Sequence, residues 1–353
     1  MMKILDWYIA RILVSTSALT LLILTGLSGI IKWVDQLRMV GRGTYDMSDA
    51  LIYVLYLIPR DIEMFFPMAV LLGALIGLGM MAQSSELVVM QASGWSRLDI
   101  IKSVMKTAIP LMLLVMAIGE WVAPVSEQTG RQLQAHKVSG GKMFKGKRST
   151  WAKDGDLFVN IAEVEKATLL KGITQYQFDD NQHLIAVISA AKADFSDGIW
   201  KMHDVTVTRL TDTKVTLNHN ETQNWQSTLT PDKLSVVSVK PEALSIKGLV
   251  GYLDYLKVNK QDPSRYELAL WRKLMQPFTV AVMMLMALSF VFSPIRTSTM
   301  GARVLIGVVA GFTYYVSSEV LGTVSLVYQL PAAVGAITPS VLFVGVAMWL
   351  LRR

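Results

Sequence analysis

The chain has 353 residues, 52% of them hydrophobic and 17% charged, against roughly 25% charged in an average soluble protein. A soluble chain of this length would cover its surface with charge, so the balance excludes a purely soluble enzyme and makes a bilayer part of the solvent. There is no Cys, and the four His lie in one polar stretch without metal-ligand spacing, which removes disulfides, thiolate catalysis and Cys-ligated centres and leaves no cofactor to expect.

A membrane helix needs about 20 apolar residues to cross about 30 Å of hydrocarbon. Residues 12–31, 64–85 and 274–295 are uncharged, and 107–126 carries only Glu120. Residues 304–351 hold one charge, Glu319, and are long enough for two helices broken around 328–331. The expectation is six spans in two groups of three, the first a retained anchor because it is too long for a signal-peptide core. Between the third and fourth spans the period changes to two. Short alternating runs at 156–161, 173–178, 183–188, 199–207 and 215–218 are separated by turn formers at 179–181 and 196–198, which reads as a sandwich or jelly roll. Residues 251–259 read as a helical return. The fold class expected is therefore an integral membrane α-helical protein with six transmembrane helices and an inserted all-β domain. Its divisions are 1–126, 127–265 and 266–353.

Lys and Arg in the short loops number nine on the side of both termini and four on the other, which places the termini in the cytoplasm and the β domain in the periplasm. The net charge of +7 is thus mostly topology and gives no argument for nucleic acid. Residues 141–147 match the opening of a P-loop, but Arg148 stands where Ser or Thr must reach magnesium, so a flexible basic linker is expected. No other catalytic motif is present. Residues 84–94 read as a short cytoplasmic helix capped by Ser84 or Ser85 and ended by Gly94. It is either an interfacial turn or a coupling helix seated in a motor protein, with Leu87 and Met90 as apolar contacts and Glu86 as a charged one. Gly73-x-x-x-Gly77 and Gly307-x-x-x-Gly311 serve equally as packing ridges within the chain or as a subunit seam. Near the outer span ends stand Lys32, Asp35, Arg38, Arg60, Asp61, Glu63, Arg131 and Glu319. Charges there snorkel to lipid phosphate, or converge as a site for an anionic amphiphile.

These residues resemble the LptF/LptG family of lipopolysaccharide-export permeases. The likeness is carried by LSGIIKWVDQL from position 27, FFPMA from 65, LLGAL from 71, SELVVMQASG from 85, EWVAP from 120, LTPDKL from 229 and VMMLMALSF from 282. The resemblance implies a non-catalytic subunit with three spans, a β jelly roll and three more spans, in the bacterial inner membrane. It implies a heterodimer with an LptF-type permease, an LptB-type ATPase dimer that supplies hydrolysis, an LptC-type single-span protein, and lipopolysaccharide as cargo bound for a periplasmic bridge. Residue by residue, the family's cavity cations match Lys32, Arg60 and Arg131. Arg38 keeps one member of a basic pair, Gln134 replaces a basic residue, and the coupling carboxylate matches Glu86. Asp35 and Glu319 are expected to hold the cations when no lipid is bound. An ion-driven lipid transporter and a membrane scaffold protein are the alternatives, and co-purification of an ATPase separates them from this reading.

Overall fold

The computed structural model describes residues 4–138, 149–166, 168–179, 181, 183–211, 214–231, 240–292 and 300–352. The P-loop-like stretch 141–148 lies outside them. The chain divides into two compact units, one of residues 1–38, 50–130 and 267–353, the other of 39–49 and 131–266.

The first unit is helical. Its elements are α1 (Ile4–Leu37), α2 (Met47–Gln83), α3 (Glu86–Ala92), α4 (Arg97–Ala117), a π turn (Ile118–Val122) leading into α5 (Ala123–Val138), α7 (Ser264–Phe292), α8 (Met300–Val327) and α9 (Ala332–Arg352), with residues 47–49 of α2, 131–138 of α5 and 264–266 of α7 counted in the second unit. Among the described residues, six segments are long and apolar enough to cross a membrane, with α4 to α5 counted as one. The break expected at 328–331 falls between α8 and α9. Several hydroxyls inside these helices are satisfied locally, as hydrocarbon favours. Thr16, Thr20 and Thr25 donate to carbonyls one turn back in α1, and Ser96 and Asp99 form a reciprocal capping box on α4. The apolar core gathers Leu71, Leu75 and Leu78 of α2, Ile100 and Val104 of α4, and Met284 and Leu288 of α7. Burial ranks the spans: 67% of the membrane window of α2 is buried, but only 11% in α1 and in α8. Thus α2 is the hub, and α1 and α8 present apolar surface outward.

The glycine ridges serve this packing. Thr16 Oγ1 donates to the Gly73 carbonyl at 2.7 Å, and a Cβ on Gly73 would strike the Ser17 backbone. Gly307 and Gly311 of α8 lie against Leu72, Leu75 and Met68 of α2. Both ridges are therefore seams within the chain.

The second unit holds β1 (Thr150–Asp154), β2 (Leu157–Lys166), β3 (Leu169–Phe178), β4 (Leu184–Ser196), β5 (Ile199–Thr211), β6 (Lys214–Trp225) and α6 (Ile246–Val258). The inserted β domain expected from the alternating runs is present, with β1 as an added strand. Among the described residues its strands form one unclosed antiparallel sheet in consecutive order. The reason is local: each strand returns directly into the next, as where Asp197 (φ 52°) and Gly198 (φ 80°) turn β4 into β5, an Asp-Gly pair suited to positive φ. One sheet face packs Val159, Ile161, Leu170, Ile173 and Trp200 against Tyr252, Tyr255 and Leu256 of α6. A buried polar knot closes this core. Asp154 accepts from Trp225 Nε1 at 2.9 Å, from the Thr228 amide at 2.8 Å and from Thr228 Oγ1 at 2.6 Å. Tyr255 donates to the Lys153 carbonyl at 2.6 Å, and burial with the neighbouring Asp154 charge pushes its phenol up to about 12. The loop 39–49 joins this unit through the Thr44 amide on the Lys137 carbonyl at 2.9 Å and a Lys137–Asp49 pair at 3.2 Å.

Candidate functional site

Charges enter the helical unit where the apolar runs begin. On α2, the segment Arg60, Asp61 and Glu63 sends its charged groups to different neighbours. Asp61 turns to α1, where it takes Lys32 and accepts from Ser28 Oγ at 3.1 Å. Arg60 donates from Nη1 to Glu63 Oε2 at 2.7 Å, and its Nε lies 3.9 Å from Glu127 Oε2. The other Glu63 oxygen, Oε1, is 3.4 Å from Lys273 Nζ on α7. Exposure grades this group: the Arg60 side chain is 26% exposed, Lys273 8% and Glu63 2%. Pro67, which has no N–H, leaves the carbonyl four residues back in α2 without its helical donor. Gln276 Nε2 supplies one, donating to the Glu63 carbonyl at 2.9 Å. Gly119 in the π turn sits directly against the Glu63 carboxylate, in space that a Cβ would fill. The π turn thus brings the third span's backbone onto a buried charge, a use typical of such bulges.

Glu319 and Asp35 do not pair with Lys32 or Arg60. Asp61 holds Lys32 and Glu63 holds Arg60, because these carboxylates share or face the same helix surfaces. Glu319 instead accepts from Arg272 Nη1 at 3.1 Å, while Arg272 Nη2 donates to the Ser318 carbonyl at 2.8 Å. Gly322 leaves room for that guanidinium on α8. Asp35 and Arg38 face each other at 4.0 Å, both exposed, a pair of small energetic weight. Arg131 and Gln134 lie on α5 within the second unit, each engaged by neighbours. Lys32 and Arg60 are therefore each paired with a buried carboxylate of α2, Lys32 with Asp61 and Arg60 with Glu63, and Arg272 and Lys273 are the residues that sequence reading left out. Their signal was the helix start after Asp262-Pro263, which carries both onto the same helix as the fourth span's apolar run.

At the other end of α2, α3 forms where a short helix was expected, with Gly94 at φ 95° behind it. Ser85 is the N-cap residue but sits at φ 60° without a side-chain cap, and Ser84 Oγ donates to Glu86 Oε1 at 2.9 Å instead. Glu86 also accepts from Tyr8 of α1 at 2.9 Å. Leu87 and Met90 turn into the helical core, so the apolar residues that α3 shows to solvent are Val88 and Val89. A seven-residue helix has two apolar flanks here, and the one that packs is decided by the core beneath it.

Among the described residues, six membrane-length helical segments and an inserted antiparallel sheet define a multi-span membrane protein. Residues 7–353 match the family described as "Lipopolysaccharide export system permease LptF/LptG". The "Lipopolysaccharide export system permease protein LptG" of Escherichia coli strain K12 is 49% identical over 353 residues, covering 99% of this chain and 98% of that one. Its counterpart from Haemophilus influenzae is 47% identical over 356 residues, covering 100% and 99%. The chain belongs to the lipopolysaccharide export system permease LptF/LptG family. Membership gives it a permease's role in lipopolysaccharide transport.

Proposed function

We propose that the chain is the non-hydrolytic permease subunit of an ABC transporter that extracts lipopolysaccharide from the inner membrane and passes it to a periplasmic bridge. In this reading residues 127–265 are the periplasmic domain, between membrane parts 1–126 and 266–353. An LptF-type subunit completes the heterodimer, an LptB-type ATPase dimer docks below, and an LptC-type single-span protein joins it. Lys32, Arg38 and Arg60, with Arg131 and Gln134, contact the lipid's phosphate region. Asp61 and Glu63 take over the counter-ion role expected of Asp35, and Glu319 clamps α8 through Arg272. Glu86 meets the ATPase, flanked by Val88 and Val89, while Leu87 and Met90 brace the helix from inside.

The observation that carries this reading is the pairing of Lys32 and Arg60 with buried carboxylates at the ends of apolar runs. Ionisable groups at that depth are costly and, where kept, mark a polar path for cargo. Their heads remain partly exposed, in reach of a phosphate that forms charge-assisted bonds. The test is ATP-dependent lipopolysaccharide release from proteoliposomes holding the assembled complex, with Lys32→Glu and Arg60→Glu made singly. Both are expected to lower release by more than Arg38→Glu, whose exposed pair contributes little. Wild-type release at Lys32 and Arg60 alike would remove the site.

A further inference from the structure

Glu63 is shared between two cations that differ in their access to the surface. Arg60 takes Oε2 at 2.7 Å and reaches outward; Lys273 faces Oε1 at 3.4 Å and is almost wholly buried. Gly119 closes the carboxylate from the third span, and Gln276 fixes the Glu63 backbone from α7. Glu127 stands 3.9 Å from Arg60 on the Nε side, and Glu120 of the π turn adds a further carboxylate to the charge around Lys273.

A buried carboxylate stripped of its cation is strongly unfavourable. Arg60 can therefore leave Glu63 for an anionic ligand only if another cation keeps Glu63 paired. Lys273 is placed for that: it already faces the second oxygen, it is too deep to follow the ligand, and its helix is tied to Glu63 through Gln276. We propose that Lys273 is a positioning residue, the resident counter-cation that frees the Arg60 guanidinium from Glu63 to bind a lipid phosphate. This rests on the reading of Arg60 as a phosphate contact. Lys273 itself touches no substrate. It acts by lowering the competition between a carboxylate and a phosphate for one guanidinium, whose planar fork suits either.

The experiment uses the assembled transporter in proteoliposomes, with a photoreactive amino acid in place of Met64, an exposed α2 residue one position from Glu63. Crosslinking to purified lipopolysaccharide is titrated in four backgrounds: unchanged, Arg60→Gln, Lys273→Met, and Lys273→Met with Glu63→Gln. Lys273→Met is expected to raise the lipopolysaccharide needed for half-maximal crosslinking by at least about tenfold, because Glu63 then competes with the phosphate for Arg60. Arg60→Gln should do at least as much. The double variant should return to within about twofold of the unchanged protein, since no carboxylate then competes for Arg60. Loss with Lys273→Met that Glu63→Gln does not rescue would make Lys273 a merely structural residue and overturn the proposal. A normal titration for Lys273→Met beside a weakened Arg60→Gln would overturn it while leaving the Arg60 reading intact. An unaffected Arg60→Gln would overturn both.

Discussion

Single residues in this protein are most informative where a polar group is buried with a complete set of partners. Asp154 is the clearest case in the β unit. It accepts three hydrogen bonds, from Trp225 and from the amide and hydroxyl of Thr228, and it lies beside Tyr255, which is bonded to the strand backbone. Asp154→Ala leaves those donors without an acceptor in a closed core, and each unmade buried bond costs about 1–3 kcal/mol. The expected outcome is a β unit destabilised by about 3 kcal/mol, seen as faster proteolysis within residues 150–225 of the intact chain while the helical spans stay protected. Lys273 and Glu63 follow the same rule in the helical unit, with one difference: Arg60, their third member, is exposed enough to exchange partners. Arg38 and Asp35, exposed on both sides, show how little a charge pair contributes when water competes.

Among the elements, α3 connects a seven-residue sequence to a role. Its Leu87 and Met90 are core residues, and Val88 and Val89 are surface. A polar residue at position 89 therefore meets solvent in the isolated chain and, in the proposed assembly, the ATPase. Val89→Asp is expected to leave purification and span packing unchanged while sharply reducing co-purification of the ATPase. Leu87→Asp is expected to lower yield, because it puts a charge into the core shared with α2 and α4. The measurement is the ratio of ATPase to this chain after affinity capture, and an unchanged ratio for Val89→Asp would move the contact elsewhere. The π turn is the second element with a purpose. Without its extra residue the third span would present a different side chain to Glu63, and the glycine that admits the carboxylate would face away.

For the whole molecule, burial is uneven in a way that predicts its assembly. The hub α2 is enclosed, whereas α1 and α8 are nearly bare along their membrane windows. α1 shows Leu22 and Ile23, and α8 shows Leu305 and Phe312. Helices so exposed within one subunit face either lipid or another subunit, and exposed apolar patches of this extent mark interaction surfaces. The chain has no Cys, which makes single-Cys labelling clean. Cys placed at Leu22 and at Phe312 should react with a membrane-permeant thiol reagent in the isolated chain, and at least one of the two should be protected in the complete transporter. Equal labelling of both before and after assembly would mean that neither span lies at a subunit seam.

Sequence alone determined the solvent, the span count and the β insertion, since each depends on composition and period averaged over many residues. The break before α9 and the turn at Asp197-Gly198 were legible for a related reason, because Pro and Gly act on their own backbone. Lys32, Arg60 and Glu86 could be singled out because a charge against an apolar run is visible in one dimension. Their partners could not. Asp61, Glu63 and Lys273 are joined across 29, 3 and 210 positions of chain, and only the packing of α1, α2 and α7 decides which carboxylate faces which cation. The inward turn of Leu87 and Met90, the intrachain use of both glycine ridges and the single consecutive sheet were likewise decided in three dimensions. Periodicity states that a residue has an apolar or a charged face to satisfy, but the neighbour that satisfies it is chosen by the tertiary structure, where burial removes water as the competing partner.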